Sequence, residues 1–211
     1  GILEITNTNF ENNTADRNGG GMVTFWAFVE LNNVIISNNQ VDGGNMQSMG
    51  GGVCCMGPRA PWSFDANLIM TDVIISENTA EAVGGAIFAY PSQPVIVVNS
   101  IIRNNGLSPM FISNTDIIIT YSNIDLEEPY EVWEGEGNIN SDPLFADSEN
   151  GDFRLQGDSP CIDAGTADLN GDGYEDITNY YGSAPDMGAI EHICETNIYD
   201  ECGICDGDNS V

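Results

Sequence analysis

The sequence predicts an all-β chain wound as a right-handed parallel β-helix, a solenoid of about five to seven coils with an irregular C-terminal region. Three observations predict it. Short apolar runs carry the same residue types at the same offsets, the runs are spaced by about one coil of chain, and clusters of glycine recur in phase with them.

The first run, ILEITNTNFENN, places Leu3, Ile5, Asn7, Phe10 and Asn13 at its inward positions. FVELNNVIISNN repeats this with Val29, Leu31, Asn33, Ile36 and Asn39, and NLIMTDVIISEN with Leu68, Met70, Asp72, Ile75 and Asn78. PVIVVNSIIRNN supplies Val95, Val97, Asn99, Ile102 and Asn105, and DIIITYSNIDLE keeps Ile117, Ile119 and Ile124 but lacks the final Asn. Starting positions 3, 29, 68, 95 and 117 are separated by 26, 39, 27 and 22 residues. The long step contains two insertions, around GGNMQS and around GPRAPWSF. The glycines Gly19-Gly20-Gly21, Gly50-Gly51-Gly52 and Gly84-Gly85 follow the runs at a matching distance. Such a unit is too short for a strand–helix–strand crossover of about 30 residues. A β-sandwich would instead need hairpin turns every ~8–12 residues and no constant long period.

Each part of the unit has a physical role in a solenoid. Apolar residues at fixed offsets stack on their own copies at the ~4.8 Å strand spacing and form a continuous inner column. Asn at a fixed turn position can bond to the Asn above and below, so Asn7, Asn33, Asp72 and Asn99 are expected to form a ladder in which Asp72 keeps an acceptor and loses a donor. Gly-Gly allows positive φ at a corner. Strand–crossover–strand connections are right-handed in ~98% of cases, which sets the expected hand.

Asp and Glu number 33 against four basic residues, with no lysine, for a net charge of −29. That charge excludes nucleic acid and anionic membrane surfaces as partners. It suits solubility in salt or the binding of cations. No apolar run approaches the ~20 residues of a membrane-inserted helix. The chain opens on Gly1 and reads as a processed or excised piece, so the lack of a signal peptide carries no information. Six cysteines (Cys54, Cys55, Cys161, Cys194, Cys202 and Cys205) point to an oxidising extracellular setting and disulfide bonding, with the pairing open.

The pattern Asn78-Thr79-Ala80 followed by Gly84-Gly85-Ala86-Ile87-Phe88 resembles the repeats of polymorphic outer-membrane proteins. It is similar also to the broader right-handed parallel β-helix, pectin-lyase-like group. Asn138 to Gly165 (NINSDPLFADSENGDFRLQGDSPCIDAG) and Pro185 to Glu191 (PDMGAIE) resemble the segment that ends many bacterial surface β-helices. The tail DECGICDGDNS resembles short cysteine-rich repeats that follow surface domains. The resemblance implies residues 1–192 as a β-helix with its closing segment, residues 193–211 as a cysteine-rich stub, and an extracellular or cell-surface location.

The same fold hosts polysaccharide lyases, galacturonases and esterases, so a carbohydrate-active enzyme is the alternative to a structural protein. Lyases of uronic-acid polymers need cationic side chains, and here Arg17, Arg59, Arg103 and Arg154 lie far apart. Inverting hydrolases need carboxylates roughly 6.5–9.5 Å apart across a groove, which 33 acids satisfy by accident. His192 is the sole histidine, so a multi-His metal site is excluded and no catalytic residue is assigned. DLNGDGYED is the best local motif. Asp168, Asn170, Asp172 and Asp176 fall at positions 1, 3, 5 and 9 of a calcium loop, with Gly173 at 6 and the Tyr174 carbonyl at 7. Position 12 is Asn179 rather than a bidentate Glu, and an acidic surface loop is the plainer alternative. Calcium would pin the loop between Gly165 and Pro185.

Trp62, Tyr90, Tyr130 and Trp133 could stack on carbohydrate or pack internally. In the vicinal pair Cys54-Cys55, alternation on a strand puts one thiol inside and one outside. The sequon Asn12-Asn13-Thr14 overlaps a turn of the repeat. The expectation is a non-enzymatic structural or adhesive module of a microbial surface protein. Because Gly1 leads straight into the first repeat, Leu3, Ile5 and Phe10 are expected to meet upstream coils or another subunit, the second case giving an end-to-end homo-oligomer or filament.

Overall fold

The computed structural model describes residues 2–44, 48–57, 67–90, 94–106, 108–113, 116–126 and 132–193. Much of both insertions, with Arg59 and Trp62, lies outside these residues, as do Tyr130 and Cys194, Cys202 and Cys205 of the stub. The first coil holds β1 (Ile2–Glu11), β2 (Thr14–Ala15) and β3 (Met22–Phe25). The second holds β4 (Phe28–Ser37), β5 (Gln40–Val41) and β6 (Val53–Met56), and the third β7 (Asn67–Ser76), β8 (Thr79–Ala80) and β9 (Ile87–Tyr90). The fourth comprises β10 (Val95–Val98), β11 (Ile101–Arg103) and β12 (Met110–Ile112), and the fifth β13 (Ile117–Thr120) and β14 (Asn123–Ile124). Among the described residues there is no α-helix.

Strands of successive coils pair in parallel, forming the sheets β1-β4-β7-β10-β13, β2-β5-β8 and β3-β6-β9-β12, with β11 joining β7 to β14. The register runs Leu3–Val29–Leu68–Val95–Ile117, which is the alignment of the five sequence runs. The chain is therefore a parallel β-solenoid, and the glycine clusters pair coil to coil at one corner. Gly50 there has φ of 71°, and a Cβ would lie 2.5 Å from the Val53 carbonyl oxygen, so only glycine fits.

The two Asn columns differ from expectation. Asn7, Asn33, Asp72 and Asn99, with Tyr121 in the fifth coil, all have φ between 48° and 54° and interrupt their strands as a left-handed corner. That conformation turns the side chain away from the interior, and Asn7 and Asn33 are exposed. The ladder forms instead at Asn13, Asn39, Asn78 and Asn105. Nδ2 of each of the first three donates to Oδ1 of the next at 2.9–3.0 Å. The same oxygens accept the backbone N–H of Asn13, Asn39 and Asn78, and Asn39 and Asn78 are fully buried. A shorter ladder follows the other corner, where Val73 N–H donates to Ser100 Oγ, Ser100 N–H to Ser122 Oγ and Ser122 N–H to Asn138 Oδ1.

The inner column gathers Val29, Leu31, Ile36, Leu68, Met70, Ile75, Val95, Val97 and Ile119 with Val53, Cys55 and Ile87 of the opposite sheet. Leu126 and Trp133 pack against this core, and Ile139 bridges to Asn123 beside the fifth coil. A second cluster lies on the outside of the solenoid. Ile35, Ile74 and Ile101 point outward and are covered by Phe153, Leu155, Cys161 and Met187. The covering segment carries an antiparallel hairpin of β15 (Phe145–Asp147) and β16 (Asp152–Leu155), with Phe145 edge-on to Phe153 at 5.1 Å. The continuous apolar runs VII and SII are explained by burial on both faces of the sheet.

Candidate functional site

The DLNGDGYED loop is wound around one carboxylate. Asp168 Oδ1 accepts the N–H groups of Gly171 at 2.7 Å and Asp172 at 3.2 Å, and its Oδ2 accepts that of Gly173 at 2.8 Å. These donors, Gly173 foremost, hold the Asp168 carboxyl below the usual range. Asn170 Oδ1 accepts from Asp172 N–H, Asp172 Oδ1 from Tyr174 N–H, and Asp176 Oδ2 from Leu169 N–H. The Tyr174 ring is 78% exposed. The loop's side-chain oxygens thus face its own backbone. Among the described residues no three acidic, His or Cys side chains are gathered closely enough to hold a metal ion. The base of the loop is pinned. Gly165 N–H donates to the Pro185 carbonyl at 2.8 Å, and Asn99 clasps Thr166 with both amide atoms at 2.8 and 2.9 Å.

Three acids meet where the closing segment crosses the solenoid. Asp186 is 1% exposed, and its Oδ1 and Oδ2 accept the N–H groups of Asp163 at 2.8 Å and His192 at 2.5 Å. Glu191 accepts the N–H of Asp186 at 3.1 Å, and Asp72 lies close enough to raise its pKa. Loss of hydration pushes Asp72 and Asp186 up to about 6 and Glu191 up to about 7, the neighbouring acids adding to the shift at Asp186 and Glu191. The PDMGAIE motif was visible in the sequence, but nothing in residue spacing places Asp72 beside it. One hint exists: Asp72 stands where three other coils use Asn.

The outer face of β3, β6, β9 and β12 is apolar. One outward column is Val23–Cys54–Phe88–Phe111 and the next is Phe25–Met56–Tyr90. Phe88 and Phe111 stack with centroids 5.3 Å apart and planes 3° from parallel. Val23, Phe25, Trp26 and Phe111 are 40–60% exposed. No charged residue stands in either column. Tyr90 belongs to this face, whereas Trp133 packs on the core, and Trp62 and Tyr130 lie outside the described residues.

Cys54 and Cys55 point to opposite faces of β6, as alternation along a strand predicts, yet the outward thiol is buried as well. Cys55 faces the core, while Cys54 stands in the outward column between Val23 and Phe88. Cys161 is also a buried free thiol, so the disulfide expectation finds no pair among the described residues. Arg103 bonds Asn123 and Asn140 and pairs with Asp125 at 3.5 Å, and Arg154 pairs with Asp152 at 2.6 Å. Both roles are structural.

Among families of known proteins, the Chlamydia polymorphic membrane protein repeat matches residues 72–90. The matched stretch runs from the Asp72 corner through the ladder residue Asn78 and the Gly84-Gly85 turn to the end of β9, most of the third coil. No curated protein and no solved structure matches the chain.

Proposed function

We propose that the chain is a non-enzymatic, extracellular module of a microbial surface protein, a stiff solenoid whose adhesive surface is the outer face of β3, β6, β9 and β12. The observation that carries this reading is the uncharged aromatic face on a chain of net charge −29. Exposed apolar surface of this kind marks interaction sites. The repeat match over residues 72–90 supports a surface setting. The partner that suits the face is a neutral glycan, because ring faces stack on the C–H faces of sugars while the surrounding negative charge repels polyanions. The acids that do converge, Asp186 and Glu191 of the closing segment and Asp72 of the solenoid beside it, belong to another side of the chain from the sheet β3-β6-β9-β12, an arrangement that favours adhesion over hydrolysis.

Affinity electrophoresis against neutral and acidic polysaccharides tests the proposal. Phe25→Ser and Phe111→Ser should each weaken binding to a neutral polysaccharide about tenfold, or about 1.4 kcal/mol. Retention by acidic polysaccharides alone, or binding indifferent to both substitutions, would overturn it. The acidic loop is proposed separately to take calcium as a structural ion, which the alternate spacing of its oxygens and the glycine at Gly173 support.

A further inference from the structure

The closing segment is fastened to the solenoid at a cluster of acids. Asp186 and Glu191 cap each other's surroundings: Glu191 Oε1 accepts the Asp186 N–H at 3.1 Å, while Asp186 Oδ2 accepts the N–H of His192, the residue after Glu191. Glu191 Oε2 also accepts the Tyr181 N–H at 3.4 Å. Asp72 lies on the solenoid side, where the Asn99 side chain bonds its carboxyl group, while its buried Oδ1 is left without a partner. Its corner is the one that Asn7, Asn33 and Asn99 occupy in other coils, where an amide would offer a donor.

Other charged and titratable groups flank the cluster, and the charges of Asp163 and His192 act on Asp186 in opposite directions. Asp163 Oδ1 is turned to the N–H groups of Ser183 and Ala184, and the His192 ring lies 3.1 Å from the Leu155 carbonyl. The Cys161 thiol is kept neutral by burial, and Arg103 is engaged by Asn123, Asn140 and Asp125. The three acids are not disposed to share a metal ion. A proton is the smallest group that relieves an orphaned carboxylate oxygen beside like charges, since a carboxyl O–H donates where a carboxylate can only accept.

We propose that the closing segment is a proton-dependent latch: it stays clasped over the outer face of β7 and β11 while a proton is held within the Asp72–Asp186–Glu191 cluster, and it lifts when all three are ionised. The direction follows from linkage. Groups whose pKa is raised in the folded state favour the clasped form at low pH, and that contribution is lost as pH rises through about 6 to 7. The latch is independent of the adhesive face, which belongs to another sheet.

Hydrogen exchange of the whole chain at about pH 5 and about pH 8, expressed as protection relative to intrinsic rates, tests it. Peptides covering residues 161–166 and 185–192 should lose tenfold or more protection at the higher pH, while peptides around Asn39 and Asn78 keep theirs. Asp72→Asn installs the residue used by other coils and should flatten most of that dependence, and Glu191→Gln should do the same. Retained ladder protection shows that each variant is folded. Closing-segment protection equal at both pH values would overturn the proposal. So would loosening of the ladder in step with the segment, or full pH dependence surviving in both variants.

Discussion

Asn serves three different purposes in this chain, decided by backbone conformation. At Asn39 and Asn78 the side chain lies inside and links coils through paired amide bonds. At Asn33 the left-handed backbone turns an equally regular Asn into solvent, while at Asn99 the same corner clasps Thr166. Asn78→Ala is expected to cost about 1–3 kcal/mol, because Asn39 loses a buried acceptor and the Asn105 oxygen a donor. Asn33→Gly, which keeps the left-handed backbone of φ 54° and breaks no buried bond, should stay within about 0.5 kcal/mol. Urea unfolding of the two variants checks the pair, and equal effects would contradict the ladder. The sequence could not separate these columns, since left-handed corners and amide ladders both select Asn and both recur once per coil.

For whole elements, the pairing of strands was legible because each coil stacks on its neighbour, so that register appears as a fixed spacing of Leu, Ile and Val. The seat of the closing segment was not. The Asn99–Thr166 contact joins residues 67 apart in sequence with no periodic cue, and the outward Ile35, Ile74 and Ile101 look like ordinary members of an apolar run. Their burial predicts that Ile74→Ala costs about 2–5 kcal/mol, as for a core position, although the residue points out of the solenoid. A surface-like effect below about 1 kcal/mol in urea unfolding would place the segment off the sheet. Added calcium should raise the melting temperature and a chelator lower it, with Asp172→Ala abolishing both responses. Melts indifferent to calcium would leave DLNGDGYED an ordinary acidic turn, whose carboxylates serve only its own N–H groups.

For the molecule as a whole, charge and burial act in the same direction. Asp72, Asp186 and Glu191 contribute stability that is complete below about pH 4 and lost as pH rises through about 6 to 7. Over the same range the net charge climbs toward −29 and self-repulsion grows. Scanning calorimetry should therefore find a higher melting temperature near pH 5 than near pH 8, and the reverse order would contradict the burial of these acids. The closing segment has a mechanical meaning as well. A bare solenoid shares contacts only between adjacent coils, so a tensile load along its axis would peel it one turn at a time. Here a single strap touches Ile35 of the second coil, Ile74 of the third, Ile101 of the fourth and Asn123 of the fifth. Pulled from its ends, the fibre-like body would resist as one welded block until the strap tore free, and a force trace would show one large rupture ahead of any small ones.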